Sequence, residues 1–320
     1  MYPCLSFDEK RLSGQISTLA ANCLLDGHQL GLVLDDFLGN TDVFTFLSSF
    51  FLPLIADSRL KSLEKIRSIA GDQQTLMSLS CCPTDDLSLL VQLSDIVLVS
   101  DLNMLQSLQY ECLKQQKIIQ IVLSAQMFSC ADFNVVIHTT LPLLANLKLT
   151  GFYLDNDKML YVIEDQLAPF RVVNSRPMTL YVRGHLPLSS AFPLVFLADI
   201  LPSNGTISSV VLKAEVVEMN EKPSLPEGNV GLDAFGNVPC FVDKGIRKRA
   251  ILALGKQDVD ISYISPITDG IEILGASSDH LICDVHESDC INVGDVVSFE
   301  VCLTALHKML LSSYVVKLFE

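Results

Sequence analysis

Across its first two thirds the chain alternates short β-branched runs with amphipathic helical stretches, and this alternation limits the choice of fold. Candidate strands lie at residues 31–36, 52–57, 75–80, 95–100, 117–124, 148–155 and 178–184. Helical patterns lie between several of them, at 59–70, 101–116 and 131–147. Within 101–116, Leu102, Leu105, Leu108 and Cys112 recur at helical spacing on one face, and Asp101 stands where an N-cap is expected. Strands that are apolar throughout, each followed by a helix, argue for a parallel sheet covered on its outer face. Tandem units with no Gly-rich dinucleotide turn after the first strand predict an α/β fold of the TIM-like (β/α) barrel type. A complete barrel has eight units in roughly 250 residues. Seven units are visible by residue 205, so the barrel is expected either to lack one unit or to be distorted.

Past Pro202-Ser203-Asn204-Gly205 the pattern changes. Runs at 210–219, 249–254, 270–274, 280–285 and 296–302 read as strands, and Gly228, Gly231, Gly236, Gly245, Gly255, Gly270, Gly275 and Gly294 punctuate them. The expectation is a barrel over residues 1–205 followed by an all-β domain over 206–320, with residues 3–7 adding a strand to the latter. A length of 320 residues suits two domains.

Charge excludes one class of partner. There are 22 Lys and Arg against 37 Asp and Glu, a net charge of −15, and the pI is about 4.7. Such a surface repels phosphate backbones and anionic membranes, so neither nucleic acid nor a membrane is an expected partner. Apolar residues make up 49% and mean hydropathy is +0.40, which raises the question of a membrane span. The greasiest stretches, 44–56 and 192–201, are broken by Ser48, Ser49, Pro53, Pro193 and Asp199. Neither reaches the ~20 apolar residues a spanning helix needs. The ten cysteines form no CxxC pair, and the N-terminus lacks the basic-then-apolar pattern of a signal peptide. A cytoplasmic protein with reduced thiols is expected, with adjacent Cys81 and Cys82 read as core residues at a strand end.

The second domain carries specific strings. They run Glu215-Val216-Val217-Glu218, Glu221-Lys222-Pro223, and Gly231-Leu232-Asp233-Ala234-Phe235-Gly236-Asn237-Val238-Pro239. Residues 245–260, from Gly245-Ile246-Arg247-Lys248-Arg249 to Lys256-Gln257-Asp258-Val259-Asp260, follow, and then residues 270–282, which include Ser277-Ser278-Asp279-His280. Together these resemble the C-terminal half of the ornithine racemase type of amino-acid racemase, a branch of the alanine racemase family. Met1-Tyr2-Pro3, Ile55-Ala56-Asp57-Ser58-Arg59 and Ser94-Asp95-Ile96 resemble the same family in the barrel half. The resemblance implies a pyridoxal phosphate (PLP) barrel followed by a β domain, usually in a head-to-tail dimer. In that dimer each active site combines one subunit's barrel with the other's β domain.

PLP racemisation requires a lysine that forms the resting imine, a phosphate cradle and a partner for the ring. By resemblance the lysine ends the first barrel strand, a few residues before a Gly-Asp or Gly-Asn pair. Counting back from Gly39 puts Asp35 there; counting forward from Gly31 puts Leu34 there. No lysine occurs between residues 11 and 60. The family's arginine after the fifth strand is replaced by Ser124-Ala125-Gln126, and no arginine occurs from 68 to 170. Its Gly-Gly-Asn-Ser-Ser cradle corresponds to Arg183-Gly184-His185-Leu186-Pro187-Leu188-Ser189-Ser190, where Pro187 lacks an N–H and the leucines crowd the approach. Asp35, Arg183, Gly184, Ser189 and Ser190 are therefore read as a vestigial cofactor site, and no bound cofactor is expected.

The β domain keeps its share. By resemblance Lys256, Gln257, Asp258, Asp279 and His280 face the partner's cofactor. Without it, Asp258 and Asp260 read as turn caps, and Asp279 with His280 as an exposed turn. His280, Cys283 and His286 have a metal-like spacing, but on a strand Cys283 faces away from both histidines, so no metal is expected.

The expected function is that of a racemase homologue that has lost PLP binding and catalysis and pairs, as a homo- or heterodimer, with a racemase-type chain. One alternative is an active PLP racemase using a non-standard lysine. Another is a binder of a cationic amino acid, drawn by Asp35 and Asp36.

Overall fold

The computed structural model describes residues 2–50, 52–79, 86–185, 188–225, 231, 242–288 and 291–320. Cys81 and Cys82 lie outside them, as do Leu186 and Pro187. Two compact units form: Gly14–Ile200, and the residues up to Ser13 together with Leu201–Glu320.

Strand β1 (Cys4–Phe7) leads into α1 (Glu9–Leu25). The Gly14–Ile200 unit then contains β2 (Gln29–Val33), α2 (Thr41–Leu47), β3 (Leu54–Asp57), α3 (Leu60–Ala70), β4 (Leu76–Ser78), α4 (Leu87–Leu93) and β5 (Ile96–Val99). It continues with α5 (Met104–Lys114), β6 (Ile119–Ser124), α6 (Cys130–Val135), β7 (Leu147–Leu154) and α7 (Leu160–Leu167). A two-stranded hairpin, β8 (Val172–Val173) and β9 (Arg176–Pro177), precedes β10 (Thr179–Arg183) and β11 (Leu194–Asp199). Strands β2 to β7, β10 and β11 close a parallel barrel, with β11 pairing back onto β2.

The barrel is therefore complete, which corrects the expectation of a missing unit. The eighth strand is β11, formed by a segment whose sequence stands out only as a greasy run too short to span a membrane. Only residues 184–193 link β10 to β11, and their described part carries no helix, so no strand–helix repeat announces it.

Two helical expectations also change. Residues 131–147 do not form one helix: α6 passes into a π-turn at Val136–Thr140 and a 3-10 turn at Leu141–Leu143. Pro142 has no N–H to continue the ladder. Asp101 does not cap α5. Its Oδ1 accepts from the Asn103 N–H at 2.9 Å, making a turn ahead of the helix, and Asn103 occupies the cap position without a side-chain bond.

Inside the barrel, Val33, Leu54, Ala56, Met77, Ile96, Leu98, Val122, Tyr153, Tyr181, Val195 and Leu197 form one buried cluster. The intervening strand residues face the helices. Phe152 is one of these, and it packs against Phe133, Phe170 and Phe192.

In the other unit, β12 (Thr206–Pro223), β13 (Ile246–Leu252), β14 (Ile264–Pro266), β15 (Glu272–Ala276), β16 (Leu281–Asp284) and β17 (Val296–Cys302) form a sheet in the order β14-β17-β12-β13-β16-β15. Strand β1 pairs antiparallel with β12 and parallel with β18 (Val316–Phe319), where Phe7 stacks on Phe319 at 4.9 Å. The unit also contains the helix α8 (Leu303–Leu311), which buries Ala305, Leu306, Met309 and Leu310. No helix among the described residues is long and apolar enough to cross a membrane.

Candidate functional site

In a parallel barrel the chemistry sits where the strands end, on the side chains that continue the inward-facing alternation. Tyr153, Tyr181 and Leu197 face inward. Two residues further along each strand lie Asp155, Arg183 and Asp199. On the neighbouring strands Asp35 follows β2 and Ser58 follows β3.

These groups bond to one another. Arg183 Nε and Nη2 donate to Asp199 Oδ2 and Oδ1 at 3.0 and 2.7 Å, a bidentate pair. Arg183 Nη1 donates to Asp35 Oδ2 at 3.2 Å. Asp35 also accepts the Ser58 N–H at 2.7 Å and the Ser58 hydroxyl at 2.8 Å. The Tyr153 hydroxyl donates to Asp155 Oδ1 at 2.6 Å. Burial opposes the Arg183 charge, but Asp199 and Asp35 more than offset it and hold the guanidinium protonated. Burial, with Asp155 as its acceptor, pushes the Tyr153 phenol upward.

Asp57, one residue before Ser58, faces the other way, beneath the start of α3. It is fully buried and accepts the Arg59 N–H at 2.8 Å. Its Oδ2 has no hydrogen bond of good geometry, although the Ser62 hydroxyl is close enough to ease the charge. Burial pushes this carboxyl up to about 7, Asp35 adding to the effect and the Arg59 N–H opposing it.

Both candidates for the lysine position are thus located. Leu34 is buried, and Asp35 is a rim carboxylate already engaged by Arg183 and Ser58. Lys61 in the first turn of α3 and Lys158 in the turn after β7 are exposed. Where the resemblance expects an arginine after β6, Ala125 donates its N–H to the Tyr153 carbonyl at 2.8 Å.

The loop after β10 is also occupied from within. Glu164 of α7 accepts the Ser190 hydroxyl at 3.1 Å and the Ala191 N–H at 2.5 Å, with Arg171 Nη2 at 3.9 Å. Of the residues read as vestigial, Arg183 and Asp35 come together, and Ser190 joins Glu164. Gly184 packs so tightly that a Cβ there would meet the Asp157 side chain at 2.5 Å. Ser189 is exposed. Sequence reasoning missed Asp199, Asp155 and Glu164. The signal for Asp199 was its place at the end of an eighth strand; Glu164 lies in no motif.

In the β unit, the polar residues singled out by sequence meet across two zipped loops. The N–H groups of Lys256 and Gln257 donate to the carbonyls of Ser277 and Ser278 at 2.9 and 3.0 Å. Gln257, Asp279 and His280 are exposed and Lys256 is half-buried. Asp258 does not join them: it is buried, and Ser312 donates to it at 3.2 Å. Asp260 caps the turn, accepting the Ser262 N–H at 3.1 Å. Cys283 is buried, its thiol pushed up to about 12, whereas His280 and His286 are exposed. Among the described residues no group of three or more potential metal ligands comes together.

The zipper depends on Gly255, where an added Cβ would lie 2.0 Å from the Ser278 carbonyl oxygen. Gly255→Ala is expected to part the loops and cost about 2 kcal/mol, the loss of two backbone hydrogen bonds. Faster amide exchange at Lys256 and Gln257 would report the parting; unchanged protection would show that the loops hold without it.

No protein-family model matches the sequence. The chain is 32% identical over 356 aligned positions to an ornithine racemase of Acetoanaerobium sticklandii, covering 99% of both chains. It is 47% identical over 113 residues to a lysine racemase of Thermotoga maritima, covering 35% of this chain and 32% of that one. Among solved structures it matches an alanine racemase from Clostridium difficile 630 in complex with cycloserine, at a TM-score of 0.77 and 14% identity, over 100% of this chain and 96% of the other. It also matches the Bartonella henselae alanine racemase with covalently bound pyridoxal phosphate, at a TM-score of 0.71 and 15% identity, over 100% of both. At such identities the two structures share its fold.

Proposed function

Because the chain belongs to the ornithine racemase type of the alanine racemase family, we infer that it is a racemase homologue that neither tethers PLP nor racemises amino acids. The observation that carries this reading is the Asp35–Arg183–Asp199 bridge at the barrel mouth. The residues present do not fit the cofactor. An imine needs a primary amine, and Asp35 offers a carboxylate whose charge opposes the phosphate and phenolate of PLP. The Ser190 and Ala191 donors, which a phosphate would need, are held by Glu164. Its place is that of a non-catalytic chain in the cytoplasm, pairing with a racemase-type partner and lending Lys256, Gln257, Asp279 and His280 to that partner's site. Co-expression with an intact racemase should then give a stable heteromer; recovery of each chain alone would contradict the pairing.

A second reading, an active racemase with a non-standard lysine, is favoured by the names of its relatives. Chiral chromatography separates the two. With excess PLP, L-ornithine, L-lysine and L-alanine are each expected to keep their configuration. Accumulation of the D-form of any one would establish activity. The cationic amino-acid reading is weakened by Arg183 and Ser58, whose donors already occupy both Asp35 oxygens.

A further inference from the structure

Parallel barrels commonly bind phosphate at the loops after their seventh and eighth strands. Here those strands are β10 and β11. At both places the chain's own carboxylates hold the donors. After β10, Glu164 takes the Ser190 hydroxyl and the Ala191 N–H, with Arg171 beside it. Its side chain is only 12% exposed, so the carboxylate is seated rather than solvated. Arg183 ends β10 and Asp199 ends β11; Asp199, with Asp35 from the neighbouring end of β2, engages all three guanidinium nitrogens of Arg183. A carboxylate and a phosphate present similar oxygens to such donors, and charge-assisted bonds of this kind are the strong ones.

We propose that Glu164 and Asp199 are built-in anions: each occupies an anion-binding donor set, and removing either opens a site for a small phosphate. The proposal rests on the reading that PLP is not bound and explains how the mouth stays ordered without it. The occupation is in cis, so its effective concentration is high, and a free anion must compete against a tethered one. The remaining acids of the rim, Asp35 and Asp155, add repulsion.

The test uses the full chain with inorganic phosphate as the probe. Glu164→Ala frees a hydroxyl, a backbone N–H and the neighbouring Arg171. Asp199→Ala frees the bidentate edge of Arg183. In tens of millimolar phosphate, against chloride of equal ionic strength, each variant is expected to gain about 3 °C in Tm, as for a ligand at roughly ten times its Kd. The wild-type chain is expected to gain nothing. A wild-type chain that gains as much as the variants, or folded variants that gain nothing, would overturn the proposal. Asp199 is 35% exposed on its side chain, so its truncation leaves the core intact and decides the matter should Glu164→Ala fail to fold. A borohydride-stable pyridoxyl adduct on wild-type protein would instead overturn the functional reading, leaving the phosphate result to stand separately.

Discussion

Replacing Asp57 with asparagine is expected to stabilise the protein strongly at pH 8 and hardly at all near pH 4. Asp57 is fully buried, and burial lifts its carboxyl from 3.8 to about 7. The folded chain therefore holds a proton that the unfolded chain has released between those values. Stability contributed by the protonated form is complete below the unfolded value and declines as pH rises toward the folded one, after which the loss is constant. At about 1.4 kcal/mol per pKa unit, the accumulated penalty at pH 8 is roughly 4 kcal/mol. Asparagine keeps an oxygen for the Arg59 N–H, places an amide near Ser62 and cannot ionise. Urea unfolding of both proteins across pH 4 to 8 measures the gap, at about 4 kcal/mol by the upper end. Parallel curves would show that Asp57 is not the buried acid described.

Phe152→Ala is expected to cost about 3–5 kcal/mol, the range for removing a fully buried aromatic side chain. Phe152 has no exposed surface. It meets Phe133 edge-on at 5.2 Å and Phe192 at 6.4 Å, and lies 6.4 Å from Phe170. These side chains join β7, α6 and the segments before β8 and β11, so no single neighbour can collapse into the gap. At about 2–4 °C per kcal/mol for a unit of this size, the barrel should melt roughly 10 °C lower. Phe152→Leu, which keeps most of the volume, should lose far less. A drop below about 1 kcal/mol would show that the cluster is not tightly packed. The neighbour Tyr153 points inward to Asp155, so loosening this strand should also disturb the mouth.

The residues carry the barrel plainly because a buried parallel strand followed by an amphipathic helix leaves two distinct periods in the sequence. β11 leaves no such trace: its connection from β10 has no helical repeat, and its run of Leu194 to Ala198 is simply apolar. Lys256 and Ser277 were singled out through resemblance, but the zipping of their loops was not legible, since nothing local in either loop points to the other. That no lysine stands between residues 11 and 60 was legible in the sequence. What surrounds Asp35 was not, because Arg183 lies 148 positions away and Asp199 lies 16 residues beyond Arg183. Only barrel closure brings the ends of β10, β11 and β2 side by side.

The most direct measurement is the absorption spectrum of protein expressed and purified with excess PLP, followed by borohydride reduction and intact-mass analysis. If Asp35, held by Arg183, or the buried Leu34 takes the position where the resemblance places an amine, the protein should be colourless and its mass unchanged. A visible imine band that borohydride abolishes, leaving a pyridoxyl group on any lysine of the barrel, would contradict the account.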